Sequence, residues 1–238
     1  MVCPNVFKPT APGRPLLRLS SGNRIGNVVG VMFDWDGVLL DSLGASFNVY
    51  NKVFTRLGTK QLTKDEFYRA QSPNWYEFYE KVGVPKTLWG EVDETWIRLY
   101  RDEDPALYPD AMDCLGSLKR LGFRLALVSN GSTTRVESEL ARFGLAPLFE
   151  SILCGEKQEE LKPSPIMLER TLRVLGLGPQ EVVYVGDAPA DVQAARNARV
   201  PIIAVARGPI QAERLRAEHP DRILGGLNEL TDFLVDAV

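Results

Sequence analysis

Four aspartates in this sequence have the spacing and surroundings of a metal site. Asp34 and Asp36 stand two residues apart directly after an apolar run, and Gly37 gives the backbone there the freedom to turn. Asp187 and Asp191 follow a second apolar run in the same way. If the two runs are neighbouring strands, these carboxylates form a cluster of oxygen ligands. Such a cluster suits Mg²⁺, which binds few protein carboxylates, keeps water ligands and shares the oxygens of a phosphate.

Two shorter motifs contain groups that can bind an anion. Ser129 and Asn130 follow another apolar run, and a hydroxyl with free backbone amides near a helix start can hold a phosphate. Lys162 precedes Pro163 and Pro165, which suit a helix start, so the lysine can reach an anion from there. Each motif is weak alone, because serine and asparagine are common turn and cap residues and lysines are common before helices. The agreement among all the motifs carries more weight than any one of them.

The apolar runs that precede these motifs alternate with amphipathic segments. This alternation predicts an α/β fold with a doubly wound, mostly parallel, Rossmann-like sheet and helices on both faces. In such a sheet ligands bind at the carboxyl ends of the strands, where all four motifs fall. The predicted strands are 27–33, 124–128, 151–154, 182–185 and 201–206, and the helices between the later strands are 133–143, 164–175 and 190–198.

The alternation breaks after the first strand, because no convincing strand follows until about residue 118. We predict a small α-helical domain, residues 44–108, inserted into a sheet domain made of residues 28–43 and 109–238. Its many aromatic residues are expected mainly to form the core of a helical bundle. Residues 1–27, rich in proline and free of acidic residues, are expected to be a flexible tail. Predicted helices in this part of the chain are 63–70, 74–82, 86–101 and 110–121.

The composition of the chain argues against several classes of function. The net charge of −3 gives no electrostatic case for nucleic-acid binding, and no apolar run approaches the roughly 18–20 residues of a membrane span. Three distant cysteines without a C-x-x-C pair argue against a disulfide framework or a zinc site and favour a reducing, cytoplasmic setting. His219 is the one histidine and lies in a polar stretch. Catalysis is therefore expected to depend on carboxylates and a metal. The sequence does not indicate an oligomeric state.

The order and spacing of the motifs resemble those of the haloacid dehalogenase superfamily of hydrolases. The motifs read D-x-D-G-V-x-x-D-S from Asp34, S-N from Ser129, K-P from Lys162 and G-D-x-x-x-D from Gly186. The likeness runs from about Val28 to the C-terminus, and the helical insertion is similar to the C1-type cap of that superfamily. Within the superfamily, the sequence looks most like the branch that contains phosphoglycolate phosphatases.

The resemblance implies a role for each matching residue. Asp34 is the expected nucleophile, and Asp36 is the expected general acid and base. The expected Mg²⁺ ligands are the carboxylates of Asp34 and Asp187 and the backbone carbonyl of Asp36. The expected phosphate-binding residues are Ser129, Lys162 and the backbone amide of Asn130, with Asp191 in a supporting role.

These roles predict a Mg²⁺-dependent phosphatase that acts on a small phosphorylated metabolite, with phosphoglycolate as one candidate substrate. Asp36 separates this chemistry from that of the superfamily's dehalogenases, which lack the second aspartate because no leaving alcohol needs a proton. A phosphomutase similar to β-phosphoglucomutase is the nearest alternative, although that branch tends to have Glu-Asp where this sequence has Gly186-Asp187. A catalytically silent binding module on the same fold is a second alternative.

The substrate is expected to meet the loop that follows the first helices of the cap, residues 70–75. We predict that Asn74 and Trp75 face the substrate, with packing of Trp75 inside the cap as the alternative. Relatives that act on phosphoglycolate often carry an arginine or lysine near this loop. The loop itself has neither, although Arg69 precedes it, so the resemblance alone does not identify the ester.

Overall fold

The computed structural model describes residues 17–18, 24–25, 28–72, 75–100, 102–155 and 157–235. Two short strands, β1 (Leu17–Arg18) and β2 (Arg24–Ile25), pair antiparallel ahead of the main sheet. The other residues of the segment predicted as a flexible tail, 1–27, lie outside the described residues.

The main sheet consists of β3 (Gly30–Phe33), β4 (Arg124–Ser129), β5 (Ser151–Cys154), β6 (Val182–Gly186), β7 (Ile202–Val205) and β8 (Arg222–Leu224). All neighbouring strands are parallel, and their order across the sheet is β5-β4-β3-β6-β7-β8. The order reverses between β3 and β6, and a crevice for ligands forms at the carboxyl ends of strands at such a point. The predicted fold class is confirmed, and β8 is an edge strand that the sequence analysis missed.

The helices are α1 (Ser42–Arg56), α2 (Lys64–Ala70), α3 (Trp75–Val82), α4 (Trp89–Tyr100), α5 (Ala111–Arg120), α6 (Thr133–Phe143), α7 (Ile166–Leu175), α8 (Pro189–Asn197), α9 (Pro209–Ala217) and α10 (Leu227–Val235). Short 3₁₀ turns occupy Lys86–Leu88, Ala146–Leu148, Gln158–Glu160 and Pro179–Glu181. The predicted helices are present within a few residues, whereas α9 and α10 were not predicted. In α9 only Ala212 and Leu215 are buried, so it lacks a clear apolar stripe.

Alternate residues of the buried strands pack on opposite faces of the sheet. Val31 and Phe33 belong to a core cluster that includes side chains of α5, α6 and α10. Met32 belongs to a second cluster, which includes side chains of α7, α8 and α9. Burial on both faces explains why the central strands are almost wholly apolar and could be recognised in the sequence. It also fixes the strands rigidly, so the loops after them have defined positions.

Helices α1 to α4, which we call the helical insert, have an apolar core of their own. Phe67 and Tyr50 lie near its centre, and several other aromatic rings surround them. Two connections join the insert to the rest of the described chain around the main sheet, which we call the sheet unit. They run side by side: Asp41 N–H donates to the Ala106 carbonyl oxygen, and Tyr108 N–H donates to the Leu39 carbonyl oxygen, both at 2.9 Å. The insert is thus anchored just beyond the carboxyl end of β3.

Candidate active site

The carboxyl ends of β3 and β6 bring the two aspartate pairs together. Phe33 lies opposite Val185 in these neighbouring strands, so the residues that follow them meet at one edge of the sheet. The Asp34 backbone N–H continues the ladder by donating to the Val185 carbonyl oxygen at 2.9 Å. Asp187 follows β6 directly. The reversal of strand order therefore places Asp34 and Asp187 next to each other.

Gly37 allows the two acidic loops to approach closely. Its φ is +78°, a conformation that residues with a side chain rarely adopt. A Cβ atom at this position would lie 2.1 Å from Oδ2 of Asp187. The glycine is therefore required both for the turn and for the contact between the loops.

Lys162 lies among the carboxylates. Its Nζ atom is 2.9 Å from Asp34 Oδ1, 2.7 Å from Asp191 Oδ1 and 2.9 Å from the Tyr184 hydroxyl oxygen. Only 3% of the lysine side chain is exposed. Burial opposes the charged form, but the negative charges of Asp191 and Asp34 outweigh it and raise the pKa of Lys162. The ammonium group therefore stays charged and can neutralise an anion beside Asp34.

Asp191 holds this arrangement in place. Its Oδ2 atom accepts hydrogen bonds from the backbone N–H groups of Asp187 at 3.1 Å and Ala188 at 2.9 Å. Its Oδ1 atom accepts one from the Tyr184 hydroxyl at 2.9 Å and contacts Lys162. With both oxygens engaged, Asp191 orients the lysine and the loop that carries Asp187. The supporting role in catalysis that the resemblance implies for Asp191 stays a prediction.

Three buried carboxylates at this edge fit a divalent cation. One oxygen from each of Asp34, Asp187 and Asp191 lies within 4.8 Å of the others. Burial raises the pKa of Asp34 to about 7 and, with the added repulsion of Asp191 and Asp34, raises the pKa of Asp187 well above its usual value. One lysine does not balance three carboxylates, so a dication would relieve their repulsion. The all-oxygen donor set is the kind that Mg²⁺ prefers.

Asp36 faces a different cation, Arg135 of α6. The two side chains form a pair of hydrogen bonds, at 3.0 Å from Nη1 to Oδ1 and 2.5 Å from Nη2 to Oδ2. Burial opposes ionisation, but the guanidinium of Arg135 outweighs it and lowers the pKa of Asp36. Arg135 also binds Glu139, which accepts a hydrogen bond at 2.6 Å from the indole N–H of Trp35. Arg135 falls within a predicted helix, but nothing in the sequence connects it with Asp36.

Gly131 provides the space for Arg135. A Cβ atom there would lie 2.2 Å from Nη2 of the arginine. Ser129, two residues earlier, is buried, and its hydroxyl oxygen accepts the Gly131 N–H at 2.9 Å and lies 3.5 Å from Asp36 Oδ2. The short motif after β4 therefore lies against the second aspartate, as its position after a strand predicts.

Asn130 connects two of the motifs through its side chain. Its Oδ1 atom accepts the backbone N–H of Lys162 at 2.8 Å, and its Nδ2 atom donates to the carbonyl oxygen of the same lysine at 3.2 Å. The asparagine thereby fixes the loop from which the lysine side chain enters the site. This structural role adds to the backbone contact with phosphate that the resemblance implies.

A cavity of about 180 Å³ opens above these groups. Its walls include Asp34 and Lys162 from the sheet unit and Tyr68 from the helical insert. Two further wall residues, Gln211 and Arg214, come from α9. Neither residue could be identified from the sequence, because no pattern there predicts α9.

Gln211 donates from Nε2 to the Oδ2 atom of Asp187 at 2.7 Å and to its carbonyl oxygen at 3.1 Å. Neither of the two residues predicted to contact substrate from the cap has its side chain among the described parts of the structure. Asn74 lies outside the described residues. Trp75 begins α3, and its side chain is likewise outside what the structure describes.

Comparison with known proteins agrees with this geometry. Residues 31–205 match the family model of haloacid dehalogenase-like hydrolases. The chain is 30% identical to a phosphoglycolate phosphatase of Chromobacterium violaceum, over 87% of its own length and 97% of that protein. A structure described as a putative haloacid dehalogenase-like hydrolase from Bacteroides fragilis superposes with a TM-score of 0.72 and 27% identity, covering 86% of this chain and all of the other.

A predicted phosphoglycolate phosphatase from Haemophilus somnus shares the fold, with a TM-score of 0.76 and 22% identity, over 87% of this chain and 98% of the other. The protein therefore belongs to the haloacid dehalogenase-like hydrolase family, and the predicted family is confirmed. The expected enzyme class, the phosphoric monoester hydrolases, is borne out by the same comparisons. No helix in the described part of the chain is long and apolar enough to cross a membrane.

Proposed function

We propose that this protein is a Mg²⁺-dependent phosphatase that hydrolyses a small phosphate monoester through a phosphorylated Asp34. The observation that carries the proposal is the 2.9 Å contact between Asp34 and the buried ammonium group of Lys162, at the edge of the sheet where Asp187 also lies. A carboxylate needs such a neighbour to approach a phosphate dianion, because the two anions repel each other.

The first half of the reaction transfers the phosphoryl group to the protein. An oxygen of Asp34 attacks phosphorus, the bond from phosphorus to the ester oxygen breaks, and Asp36 protonates the leaving alcohol. Lys162 and Ser129 contact the phosphate oxygens and stabilise the charge that they carry during transfer. The covalent intermediate replaces one difficult displacement by two easier ones.

The second half returns the protein to its starting state. Asp36 accepts a proton from a water molecule, the water oxygen attacks phosphorus, and the bond to Asp34 breaks to release inorganic phosphate. The ion pair with Arg135 favours the ionised form of Asp36, which is the form that this step needs. Protonation of the alcohol in the first half requires Asp36 to loosen that pair.

The residues that would hold Mg²⁺ are the carboxylates of Asp34 and Asp187 and the backbone carbonyl of Asp36, with Asp191 beside them. The ion would supply positive charge that offsets the phosphate and the buried carboxylates. This assignment is supported by the all-oxygen donors and by their excess of negative charge.

The helical insert supplies one wall of the cavity, and we propose that residues 44–108 act as a cap over a core made of residues 28–43 and 109–238. Closure of a cap excludes water while the phosphoryl group is transferred. The relatives named above support phosphoglycolate as the first ester to test. The three cysteines are far apart in the sequence and form no C-x-x-C pair, which favours a reducing compartment, and we propose the cytoplasm as the site of action.

The test is phosphate release from purified protein with Mg²⁺ and with EDTA. The substrates are phosphoglycolate, pyrophosphate, nucleoside monophosphates, sugar phosphates and p-nitrophenyl phosphate. We expect metal-dependent release, and we expect Asp34→Asn to lower the rate by at least about 10⁴-fold, as loss of a catalytic nucleophile does in other enzymes. Asp113→Asn, an exposed acid on α5, is the matched control and should act like the wild type.

Intact-protein mass spectrometry of rapidly quenched enzyme checks the intermediate, because only proteins with Asp34 should gain a phosphoryl group. Turnover by Asp34→Asn at the wild-type rate contradicts the proposal. Isomerisation of a sugar phosphate without release of phosphate would favour the phosphomutase, and binding without any turnover would favour a silent module.

A further inference from the structure

Arg214 reaches the active-site cavity from α9, a helix that carries none of the four motifs. It lines the cavity together with Asp34 and Lys162. Two of its guanidinium N–H groups donate to backbone carbonyl oxygens of the helical insert, those of Tyr68 and Gln71, each at 2.8 Å. These bonds fix the guanidinium at the cap end of the cavity, whereas Lys162 lies at the sheet end.

The guanidinium of Arg214 has binding capacity that its protein contacts do not use. An arginine has five N–H donors, and the two carbonyl contacts engage two of them. Within the described part of the chain Arg214 forms no ion pair, whereas Arg207 is paired with Asp110 and Arg124 with Glu150. Burial lowers the pKa of Arg214, because its charged group has lost part of its water, and this outweighs the opposite effect of the Asp187 charge, which acts without forming an ion pair. A partly buried cation without a carboxylate partner is a good site for an anion.

The two cations divide the cavity into two anion sites. Of the described residues in its walls, only Lys162 and Arg214 are positively charged. Lys162 is next to Asp34, so the phosphoryl group must bind at that end for the nucleophile to reach it. The alcohol part of the ester then extends toward the insert, where Arg214 lies. The cavity of about 180 Å³ is small beside the roughly 300–1,000 Å³ of typical small-molecule sites, which favours a short alcohol.

We infer that the natural substrate is a short phosphate ester whose alcohol carries a carboxylate, and that Arg214 is the residue that selects it by binding this carboxylate. The inference rests on the proposed phosphatase reaction and adds the determinant of its specificity. A planar guanidinium can bind a carboxylate through two parallel hydrogen bonds, so a neutral alcohol of the same size would leave the arginine without its partner. A site that loses such a partner discriminates strongly.

Phosphoglycolate and ethyl phosphate form a matched pair of substrates for the test, because they have the same two-carbon length and differ in the carboxylate. We expect the wild type to prefer phosphoglycolate in kcat/KM. Arg214→Ala should lower kcat/KM for phosphoglycolate by roughly 10- to 200-fold, the cost of one hydrogen-bonded charged contact, and ethyl phosphate by much less. Arg214→Lys keeps the charge without the planar fork and should fall between the two.

Arg69→Gln is the matched control. Arg69 also joins α2 to α9, through a 3.9 Å contact with Glu213, but it does not line the active-site cavity. It should leave the preference between the two esters unchanged. Thermal unfolding of each variant checks that the fold persists.

The outcomes distinguish the role of Arg214 from the phosphatase function itself. Equal losses for both esters in Arg214→Ala would make the arginine a link between insert and core only, and would overturn the inference while the phosphatase function stands. A wild type that hydrolyses both esters equally well overturns it too. If the wild type releases phosphate from neither ester nor from p-nitrophenyl phosphate, the proposed function fails and the inference fails with it.

Discussion

The carboxyl edge of the sheet and the helical insert differ in how they use their buried space. At the edge, Asp34, Asp187, Asp191 and Lys162 are each less than one-tenth exposed, and their charges lie within a few ångströms of one another. In the insert, the buried positions are occupied almost wholly by aliphatic and aromatic side chains, with Tyr50 in contact with rings on all sides. Among its described residues, no charged side chain is buried.

This difference separates residues kept for chemistry from residues kept for stability. Burial of several like charges is unfavourable, so a fold retains such a cluster where its electrostatics are used. Burial of aromatic rings stabilises the insert directly, and the choice of individual rings is less constrained by function. Substitutions at the edge should therefore change activity most, and substitutions in the insert should change the free energy of unfolding most.

Of three further substitutions that test this comparison, replacement of Lys162 by methionine should have the largest effect. We expect kcat/KM to fall by about 10²–10³-fold, because one preorganised positive group next to the phosphate is lost. Stability should also fall, by about 3–5 kcal/mol, because Asp34 and Asp191 lose their buried counter-charge. Phosphate release and urea unfolding measure the two effects. The exposed Lys64 of α2, changed to methionine, is the control, and a Lys162 variant with normal turnover would contradict the assignment.

Replacement of Phe67 by alanine tests the core of the helical insert. Its ring is fully buried and packs against Phe47, Tyr50 and Phe78, so we expect a loss of about 3–5 kcal/mol in the free energy of unfolding. At a temperature where the variant is folded, kcat/KM should change far less than in the lysine variant. Phe67→Leu preserves most of the buried volume and should cost less. A cost below about 1 kcal/mol for the alanine variant would show that the ring cluster is not the stabilising core of the insert.

Replacement of Asp110 by asparagine should have the smallest effect, and that effect should depend on pH. Asp110 accepts hydrogen bonds from both terminal nitrogens of Arg207, at 2.7 and 2.9 Å, and from the Leu227 N–H at 2.7 Å. Burial opposes ionisation, but these bonds outweigh it and lower the pKa of Asp110 in the folded protein. We expect a loss of about 1.5–3 kcal/mol at pH 7, the cost of hydrogen bonds to a charged group.

The sign of the pH dependence follows from that lowered pKa. The contribution is complete above the unfolded-state pKa of about 4 and disappears as the pH falls through the folded-state pKa. The gap in unfolding free energy between wild type and Asp110→Asn should thus close in acid, whereas a gap that stays constant with pH would show that the charge of Asp110 is not involved. Asp113→Asn again serves as the exposed control.

The residues that the sequence identified are those whose position follows from strand ends. Asp34, Ser129 and Asp187 each end or follow a strand that is buried on both faces, and continuous apolar runs make such strands visible. Lys162 was found from its order among the motifs and its place before a helix. In each case local pattern and global topology agree, so proximity in space could be predicted.

The residues that were missed depend on tertiary contacts without a local signal. Arg135 lies on a helix that was predicted correctly, but the pairing with Asp36 depends on the space left by Gly131, which periodicity does not encode. Gln211 and Arg214 lie on a short helix that buries only Ala212 and Leu215. Its position comes from packing against β8 and the insert, and not from an apolar stripe of its own.

The two connections at the base of the helical insert run side by side, so another segment of chain can replace the insert. The chain leaves the sheet unit at Leu40 and returns at Leu107, and these two residues form a bridge that behaves like the closed end of a hairpin. A segment of different length or sequence grafted between them would leave the strand order and the charged edge unchanged. Divergence, or an engineer, can therefore change the wall that the insert gives to the cavity by replacing one continuous stretch of the chain, while Arg214 and the charged edge of the sheet keep their positions.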